Sequence, residues 1–157
     1  MKKQVAIIMG SKSDMPVMQH CLDTLDKFKA DYDVKILSAH RTPKQTAKYA
    51  EEAAGKGLKV IIAAAGGAAH LGGVIAAHTT LPVIGVPMDT KPFSGVDSLL
   101  SVVQMPKGIP VGCMAVGKAG AINAAIFAVE ILALSSEVFA KRIAEHKKQL
   151  AEAVLKG

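Results

Sequence analysis

The chain has 157 residues, half of them hydrophobic, with 4% aromatic residues and no Trp, so one domain with an aliphatic core is expected. The formal net charge is +6, but basic and aromatic residues are not interleaved, which argues against binding of nucleic acid. The apolar run ending at Gly10 is too short for a signal sequence, and residues 119–134 are too few to span a membrane. A cytoplasmic protein without membrane contact is expected.

Strand-like runs alternate with helical patterns in chain order, which predicts a parallel sheet built from β–α–β units. Strands are predicted at residues 4–9, 33–37, 60–64, 82–86 and 111–116. Helices are predicted at residues 15–29, from 43 to near 55, and at 71–78, 96–103, 119–134 and about 136–155. The expected fold is α/β and flavodoxin-like: a three-layer, doubly wound, parallel five-stranded sheet with an extra C-terminal helix, forming a single domain over residues 1–157.

Helix-start signals support two of these helices. Asp14 is the expected N-cap of the first helix with Pro16 in its first turn, and Thr42 is the expected N-cap of the second with Pro43 at its first position. The last helix places one stripe of residues at helical spacing: Phe139, Ile143, His146, Leu150 and Val154. This helix either folds back or packs on a neighbouring subunit. The mean hydropathy of +0.31 favours an oligomer.

Two polar clusters follow neighbouring strands at the point where each strand ends. Ser11, Ser13 and Asp14 follow the first strand, and Ser38, His40 and Arg41 follow the second. The carboxyl ends of parallel strands open onto one crevice, where helix N-termini and Arg suit a phosphate. A histidine side chain ordinarily titrates near neutral pH, so this residue type can both give and take a proton, and His40 is the candidate proton-transfer group. The clusters predict a phosphosugar site with one proton-transfer group, although the first cluster, taken alone, fits a simple helix cap better than a ligand site.

Other motifs are weaker. Residues 66–73 are rich in Gly and could cradle a flat ring, but they lack the spacing of a dinucleotide fingerprint; His70 there is either a supporting partner or a helix N-terminal hydrogen bonder. Residues 112–118 resemble a P-loop, yet Ala119 stands where Ser or Thr would bind Mg²⁺, so the match is interpreted as chance. The histidines show no metal-ligand spacing. Cys21 and Cys113 are expected to be reduced thiols.

Five motifs together carry a family resemblance, namely residues 9–14, 38–43, 65–71, 95–99 and 104–112. They resemble the bacterial N5-carboxyaminoimidazole ribonucleotide mutase family, the PurE catalytic type of purine biosynthesis, over nearly the whole chain. The resemblance implies a cofactor-free isomerase that moves a carboxylate from the exocyclic N5 to ring carbon C4 through released CO2. It also implies a homo-octamer with C-terminal helices packed on neighbouring subunits.

The resemblance also assigns roles. His40 is the implied general acid–base, Ser11, Ser13 and Arg41 hold the phosphate, and Asp14 holds the ribose hydroxyls. The imidazole and CO2 site is implied to be lined by Ser38, Ala39, Gly67, Ala68, Ala69, His70 and Leu71. The family usually has Pro where this chain has Gly72, which is expected to loosen that turn. A sister class that carboxylates aminoimidazole ribonucleotide directly is the alternative; Arg41, where that class has Lys, and the Gly-Gly-Ala-Ala-His run favour the mutase.

Overall fold

The computed structural model describes residues 3–156. Five parallel strands form one sheet in the order β2-β1-β3-β4-β5. They are β1 (Val5–Met9), β2 (Tyr32–Ile36), β3 (Val60–Ala65), β4 (Val83–Pro87) and β5 (Gly112–Cys113). The sheet has helices on both faces, which confirms the flavodoxin-like α/β fold.

The central strands explain why the sheet forms. Every residue of β1 and β4 is buried, and so are the first five of β3, because helices cover both faces and aliphatic side chains pack on each. The first four strands lie within one residue of their predicted positions. The fifth prediction was too long, since only Gly112 and Cys113 pair with β4. Beyond them the chain leaves the ladder and keeps single bonds, from Met114 N to Gly85 O and from Gly117 N to Pro87 O.

The six α-helices divide between the two faces of the sheet. Buried side chains of α1 (Met15–Lys27), α5 (Lys118–Ala133) and α6 (Glu137–Lys156) belong to one core cluster. Those of α2 (Pro43–Ala53) and α3 (Leu71–Ala77) belong to the other. On this second face, α4 (Val96–Val103) packs close to β4, where a methyl group at Gly85 would lie 2.3 Å from Val102 Cγ1. Two short 3-10 helices, Lys12–Asp14 and Lys91–Phe93, precede α1 and α4.

Asp14 and Thr42 occupy the predicted N-cap positions of α1 and α2, but neither side chain makes a cap hydrogen bond to its helix. Asp14 does precede α1, but its carboxylate makes no cap bond to that helix; it accepts from Ser11 N at 3.2 Å and so caps the 3-10 helix. Thr42 precedes α2, but its hydroxyl accepts from Ser38 N at 2.8 Å instead. Pro16 and Pro43 do occupy first turns. In both cases the polar side chain holds the loop before the helix, and this loop carries the predicted site.

The C-terminal helix folds back over only part of its length. Phe139 and Ile143 are buried against the first core cluster, and Arg142 Nη1 donates to Phe28 O at 2.8 Å. Leu150 and Val154 continue the same stripe but are 54% and 82% exposed. The first half of the stripe therefore covers its own domain, and the second half has no cover within residues 3–156. Among residues 3–156, no helix combines the length and the hydropathy that a membrane span requires.

Candidate active site

A crevice of about 360 Å³ lies beyond the carboxyl ends of the strands. It includes the gap between the ends of β1 and β3, where the strand order reverses and where ligands bind in folds of this kind. The crevice brings together both predicted polar clusters and half of the Gly-rich segment. Its lining residues are Gly10, Ser11, Ser13, Asp14, Ser38, Ala39, His40, Arg41, Ala65, Gly66, Ala68, His70, Leu71 and Thr90.

The cluster after β1 forms a compact hydrogen-bonded turn. Ser13 donates to Ser11 Oγ from both its backbone N, at 3.3 Å, and its hydroxyl, at 2.9 Å. Ser11 N donates to Asp14 Oδ2 at 3.2 Å. The two hydroxyls therefore lie side by side at the start of a helical segment, where the Ser11 proton is free for a phosphate and the Ser13 hydroxyl can rotate to donate to it.

Burial raises the pKa of Asp14. The Ser11 N–H and the charge of Arg41 act in the opposite direction but do not offset it. A half-buried carboxylate with these partners is poorly stabilised in its charged form. It would gain from donors such as ribose hydroxyls, so its environment fits the role that the resemblance implies.

The cluster after β2 is held by a hydroxyl network. Thr42 Oγ1 accepts from Ser38 N and donates to Ser38 O at 3.1 Å, and the buried Thr46 hydroxyl also lies 3.2 Å from Ser38 O. Ser38 Oγ in turn accepts from Arg41 N at 3.1 Å. These bonds fix the turn that carries His40, although sequence reasoning assigned Thr42 only to a cap and gave Thr46 no role.

Arg41 links the two clusters. Its Nη2 donates to Gly10 O at 2.8 Å, so the guanidinium of the second cluster reaches the end of β1. Its Nε lies 3.4 Å from Ser38 Oγ. A guanidinium has five N–H donors, so these bonds leave others for an anion beside Ser11 and Ser13. The predicted phosphate-binding residues are thus brought together by the fold.

The two crevice histidines contact each other directly. His40 Nε2 lies 2.8 Å from His70 Nδ1, and the rings meet edge to face with centroids 5.0 Å apart. When both rings are neutral, one of these nitrogens carries the proton and the other accepts it. Of the two uses weighed for His70, the supporting-partner role fits this contact, and its side chain makes no cap bond to α3.

The Gly-rich segment contributes less than the sequence suggested. Ala68, His70 and Leu71 line the crevice, whereas Gly67 and Ala69 do not. Gly67 has φ +64°, a left-handed conformation that favours glycine, and Ala69 is buried with 2% exposure. Gly72 lies inside the first turn of α3 and is buried, so the departure from the family pattern falls within a helix.

Thr90 lines the crevice and was missed by sequence reasoning. It follows β4, whose end at Pro87 opens onto the same edge of the sheet. The rule that located the first two clusters, a polar residue just after a strand, would also have selected it. Gly10, Ala65 and Gly66 are further lining residues, and each belongs to a strand end or the loop that follows it.

Other reactive groups lie elsewhere or are suppressed. Burial raises the pKa of the Cys21 thiol to about 12 and also raises that of Cys113, so both disfavour the nucleophilic thiolate. Both are free cysteines, and neither lines the crevice. Within residues 3–156, no group of three or more His, Cys, Asp or Glu side chains is placed to hold a metal ion. Gly117, with φ +72°, forms the turn into α5 that was expected in place of a P-loop.

Comparison with known proteins shows the family to which the chain belongs. The model of the family described as AIR carboxylase matches residues 4–153, almost the whole described chain. The chain belongs to the AIR carboxylase family. Proteins named N5-carboxyaminoimidazole ribonucleotide mutase are similar to it throughout. The one from Brucella melitensis is 54% identical over 98% of this chain and 95% of its own length, and the one from Bacillus subtilis is 51% identical over 100% and 97%.

A solved structure supports the same assignment for the fold. The crystal structure of Treponema denticola PurE superposes with a TM-score of 0.88, at 27% identity over 98% of this chain and 94% of that one. Because each comparison covers nearly the full length, all the strand ends that build the crevice fall within the shared fold. The AIR carboxylase family therefore accounts for the whole architecture, including the helices on both faces.

Proposed function

We propose that this protein is an N5-carboxyaminoimidazole ribonucleotide mutase, an isomerase of purine biosynthesis. The observation that carries the proposal is identity above 50%, across nearly the full length, to several proteins of that name. The crevice supports it, because the exposed His40 ring, in contact with His70, stands beside a cluster suited to a phosphorylated ribose. Its substrate is N5-carboxyaminoimidazole ribonucleotide and its product is 4-carboxy-5-aminoimidazole ribonucleotide.

The substrate lies along the crevice with its phosphate at the paired hydroxyls. Ser11, Ser13 and Arg41 bind the phosphate, and Asp14 accepts hydrogen bonds from the ribose hydroxyls. In this orientation of the substrate, the aminoimidazole ring lies away from the phosphate site, near His40 and the Gly-rich segment. The residues proposed to surround the ring and CO2 are Ser38, Ala39, Gly67, Ala68, Ala69, His70 and Leu71, of which Gly67 and Ala69 would act from behind the lining.

The reaction needs one group that gives and then regains a proton. His40 protonates N5 as the N5–carboxylate bond breaks, which releases CO2 beside neutral aminoimidazole ribonucleotide. Carbon C4 then attacks CO2, and His40 removes the proton that C4 carried. N5 gains one proton and C4 loses one, so the sum is an isomerisation that consumes no cofactor. An imidazole suits both steps because it titrates near neutral pH.

The alternative function is direct carboxylation of aminoimidazole ribonucleotide by CO2. It is retained as a second candidate because the matching family is described as AIR carboxylase. The deciding experiment supplies purified protein either with N5-carboxyaminoimidazole ribonucleotide or with aminoimidazole ribonucleotide and bicarbonate. Mutase activity predicts efficient turnover of the first substrate and little of the second at ordinary bicarbonate concentrations. Efficient turnover only of aminoimidazole ribonucleotide with bicarbonate would replace the mutase by the carboxylase.

The protein is further proposed to act in the cytoplasm as a homo-octamer, without nucleic-acid or membrane partners. Exposed apolar side chains support assembly, among them Leu100 at 57%, Leu150 at 54%, Val154 at 82% and Leu155 at 86%. The distal half of α6, which no part of residues 3–156 covers, is the surface proposed to pack on a neighbouring subunit. Light scattering coupled to gel filtration would give the mass of the assembly, and a monomer at micromolar concentration would contradict this proposal.

A further inference from the structure

Thr90 approaches the crevice from a different direction than the other lining residues. Of the residues that line it in the described chain, Thr90 alone comes from the connection between β4 and α4. It lies just beyond the end of β4 and is half-buried. The mechanism above gives it no role, and it belongs to neither polar cluster, so its presence in the lining requires an explanation of its own.

The two arms of the Thr90 side chain have different partners. Its hydroxyl lies 3.2 Å and 3.3 Å from the two carboxylate oxygens of Asp97 and donates its one proton there. Its methyl group lies against Gly66: a methyl group added at Gly66 would be only 2.6 Å from Thr90 Cγ2. The bond to Asp97 therefore fixes the side-chain rotamer in which the methyl group covers the Gly-rich segment.

The backbone around Thr90 is also held in place. Met88 N donates to Ala65 O at 2.9 Å, which joins the loop to the end of β3 just before Gly66. The buried Ser98 hydroxyl lies within hydrogen-bond distance of both Met88 O and Gly95 O, the two ends of the loop. These bonds keep the loop against the Gly-rich segment at a fixed distance, so the contact between Thr90 and Gly66 is built into the fold.

We propose that Thr90 is a positioning residue whose methyl group completes the crevice wall at Gly66 and keeps released CO2 beside the ring. This inference rests on the proposed mutase function. Between the two steps CO2 is bonded to neither N5 nor C4, so any opening in the wall lets it leave. Escape would yield free aminoimidazole ribonucleotide and CO2, with one proton consumed. Closed sites suppress such side reactions.

The test is retention of an isotopically labelled carboxylate. N5-carboxyaminoimidazole ribonucleotide labelled in its carboxylate is converted by the enzyme in a solution of unlabelled bicarbonate. Two quantities are then measured, the label retained in the product and the amount of free aminoimidazole ribonucleotide formed. The amount of substrate that decarboxylates without enzyme is subtracted from the second. Thr90→Ser removes the methyl group and keeps the hydroxyl, so the lost fraction should rise several-fold. Thr90→Val replaces the hydroxyl by a second methyl group and so keeps a methyl group against Gly66. Label retention should therefore stay near that of the wild type, even if kcat changes.

Thr80→Ser is the matched control, since it makes the same change at an exposed position just before β4, at the opposite end of the sheet. It should leave retention unchanged. Wild-type retention in Thr90→Ser, or equal leakage from Thr90→Val and Thr90→Ser, would overturn this inference while leaving the mutase function intact. A wild-type protein that does not convert the labelled substrate would instead overturn the proposed function.

A second measurement does not depend on turnover. Gly66→Ala places a methyl group into Thr90 Cγ2 and also 3.2 Å from Met88 Cβ, so it should lower the thermal unfolding temperature. Adding Thr90→Ser to Gly66→Ala removes the shorter contact and should recover part of that loss. Strictly additive effects of the two substitutions would show that the methyl group does not pack on Gly66, and this would overturn the proposed wall.

Discussion

Two carboxylates at opposite ends of the sheet have pKa values shifted in opposite directions. At the amino end, Asp33 accepts hydrogen bonds from Lys3 Nζ at 2.8 Å and from Tyr49 Oη at 2.9 Å, and Lys35 Nζ lies at 3.5 Å. Burial alone would raise the pKa of Asp33, but these bonds and charges together lower it. At the carboxyl end, burial raises the pKa of Asp14 despite the Ser11 N–H and the charge of Arg41.

This difference separates stabilising groups from functional ones. At the amino end, Asp33 is neutralised by its own protein partners, so it contributes to the free energy of unfolding. The crevice end keeps a carboxylate, a guanidinium and an imidazole close together with donors and acceptors left for a ligand. Such an arrangement costs stability and is expected where a substrate supplies the missing partners. Substitutions at the two ends should therefore affect different measurements.

The largest effect is expected at His40. His40→Asn removes the group that gives and takes the proton, so kcat should fall by about a thousandfold or more, while substrate binding through the phosphate survives. Steady-state kinetics and equilibrium binding of the substrate measure the two separately. His70→Asn is the matched comparison: it removes the partner 2.8 Å from His40 Nε2, and water or the amide can replace that contact, so kcat should fall by about tenfold or less.

Either of two results would contradict this assignment. One is a His40→Asn protein that has lost binding but turns over normally at saturating substrate. The other is a His70→Asn protein as inactive as His40→Asn, which would shift the proton transfer to the pair of rings or to His70.

Arg41 is expected to have the next largest effect, on binding. Arg41→Lys keeps a positive charge but loses the planar fork that can bond Gly10 O and a phosphate together, so KM should rise roughly tenfold with a smaller change in kcat. Lys59→Ala, which removes an exposed cation just before β3, serves as the control and should leave KM unchanged. Equal KM values for Arg41→Lys and the wild type would remove Arg41 from the phosphate site.

Arg41 and Thr90 show which site residues the sequence could predict and which it could not. Arg41 was predicted because it stands beside His40 in the short polar segment between β2 and the start of α2, a local pattern that the sequence shows by itself. Thr90 lies in a longer loop, and its role depends on its contact with Gly66, which follows a different strand and is distant in sequence. The same limit explains the fifth strand, since the apolar run at residues 111–116 does not reveal that only Gly112 and Cys113 pair with β4. Local pattern predicts elements, whereas packing between distant loops decides the lining of the crevice.

The two carboxylates give the next prediction, on stability. The folded-state pKa of Asp33 is lowered, so its contribution to stability is present above the unfolded pKa and is lost as pH falls through the folded value. Asp33→Asn should lower the free energy of unfolding by about 1 kcal/mol at neutral pH. It should also flatten the loss of stability that the wild type shows below about pH 5. Denaturant unfolding across pH would measure both effects.

Asp14 should behave in the opposite sense. Its folded-state pKa is raised, so the charged form costs stability at neutral pH and that cost disappears as pH falls through the folded pKa. Asp14→Asn should therefore unfold at the same temperature as the wild type or higher, while KM rises through the loss of the ribose contact. Asp23→Asn, on the exposed face of α1, is the control for both. A destabilised Asp14→Asn with unchanged KM would place Asp14 among the structural carboxylates.

The smallest effect concerns Gly72, in the first turn of α3 beside the crevice. A methyl group there would meet Val111 Cγ1 at 3.5 Å and Ala63 Cβ at 3.9 Å, which are ordinary contacts. Gly72→Ala should therefore raise the free energy of unfolding by about 0.5–1 kcal/mol, because Ala loses less backbone entropy in a helix. Gly73→Ala is the internal control: its methyl group would meet Met105 Cε at 3.1 Å, so part of the same gain is spent on moving that side chain.

The activity of Gly72→Ala then shows whether flexibility of the first turn of α3 contributes to catalysis. Gly72 is buried and does not line the crevice, so a stiffer first turn changes no contact to the substrate. If the crevice end is costly only because of its charged groups, Gly72→Ala should be more stable and equally active, with kcat and KM of the wild type. A fall in kcat together with higher stability would show that the movement of α3 also serves the reaction, and the difference between the two ends would then extend from their charges to their backbone.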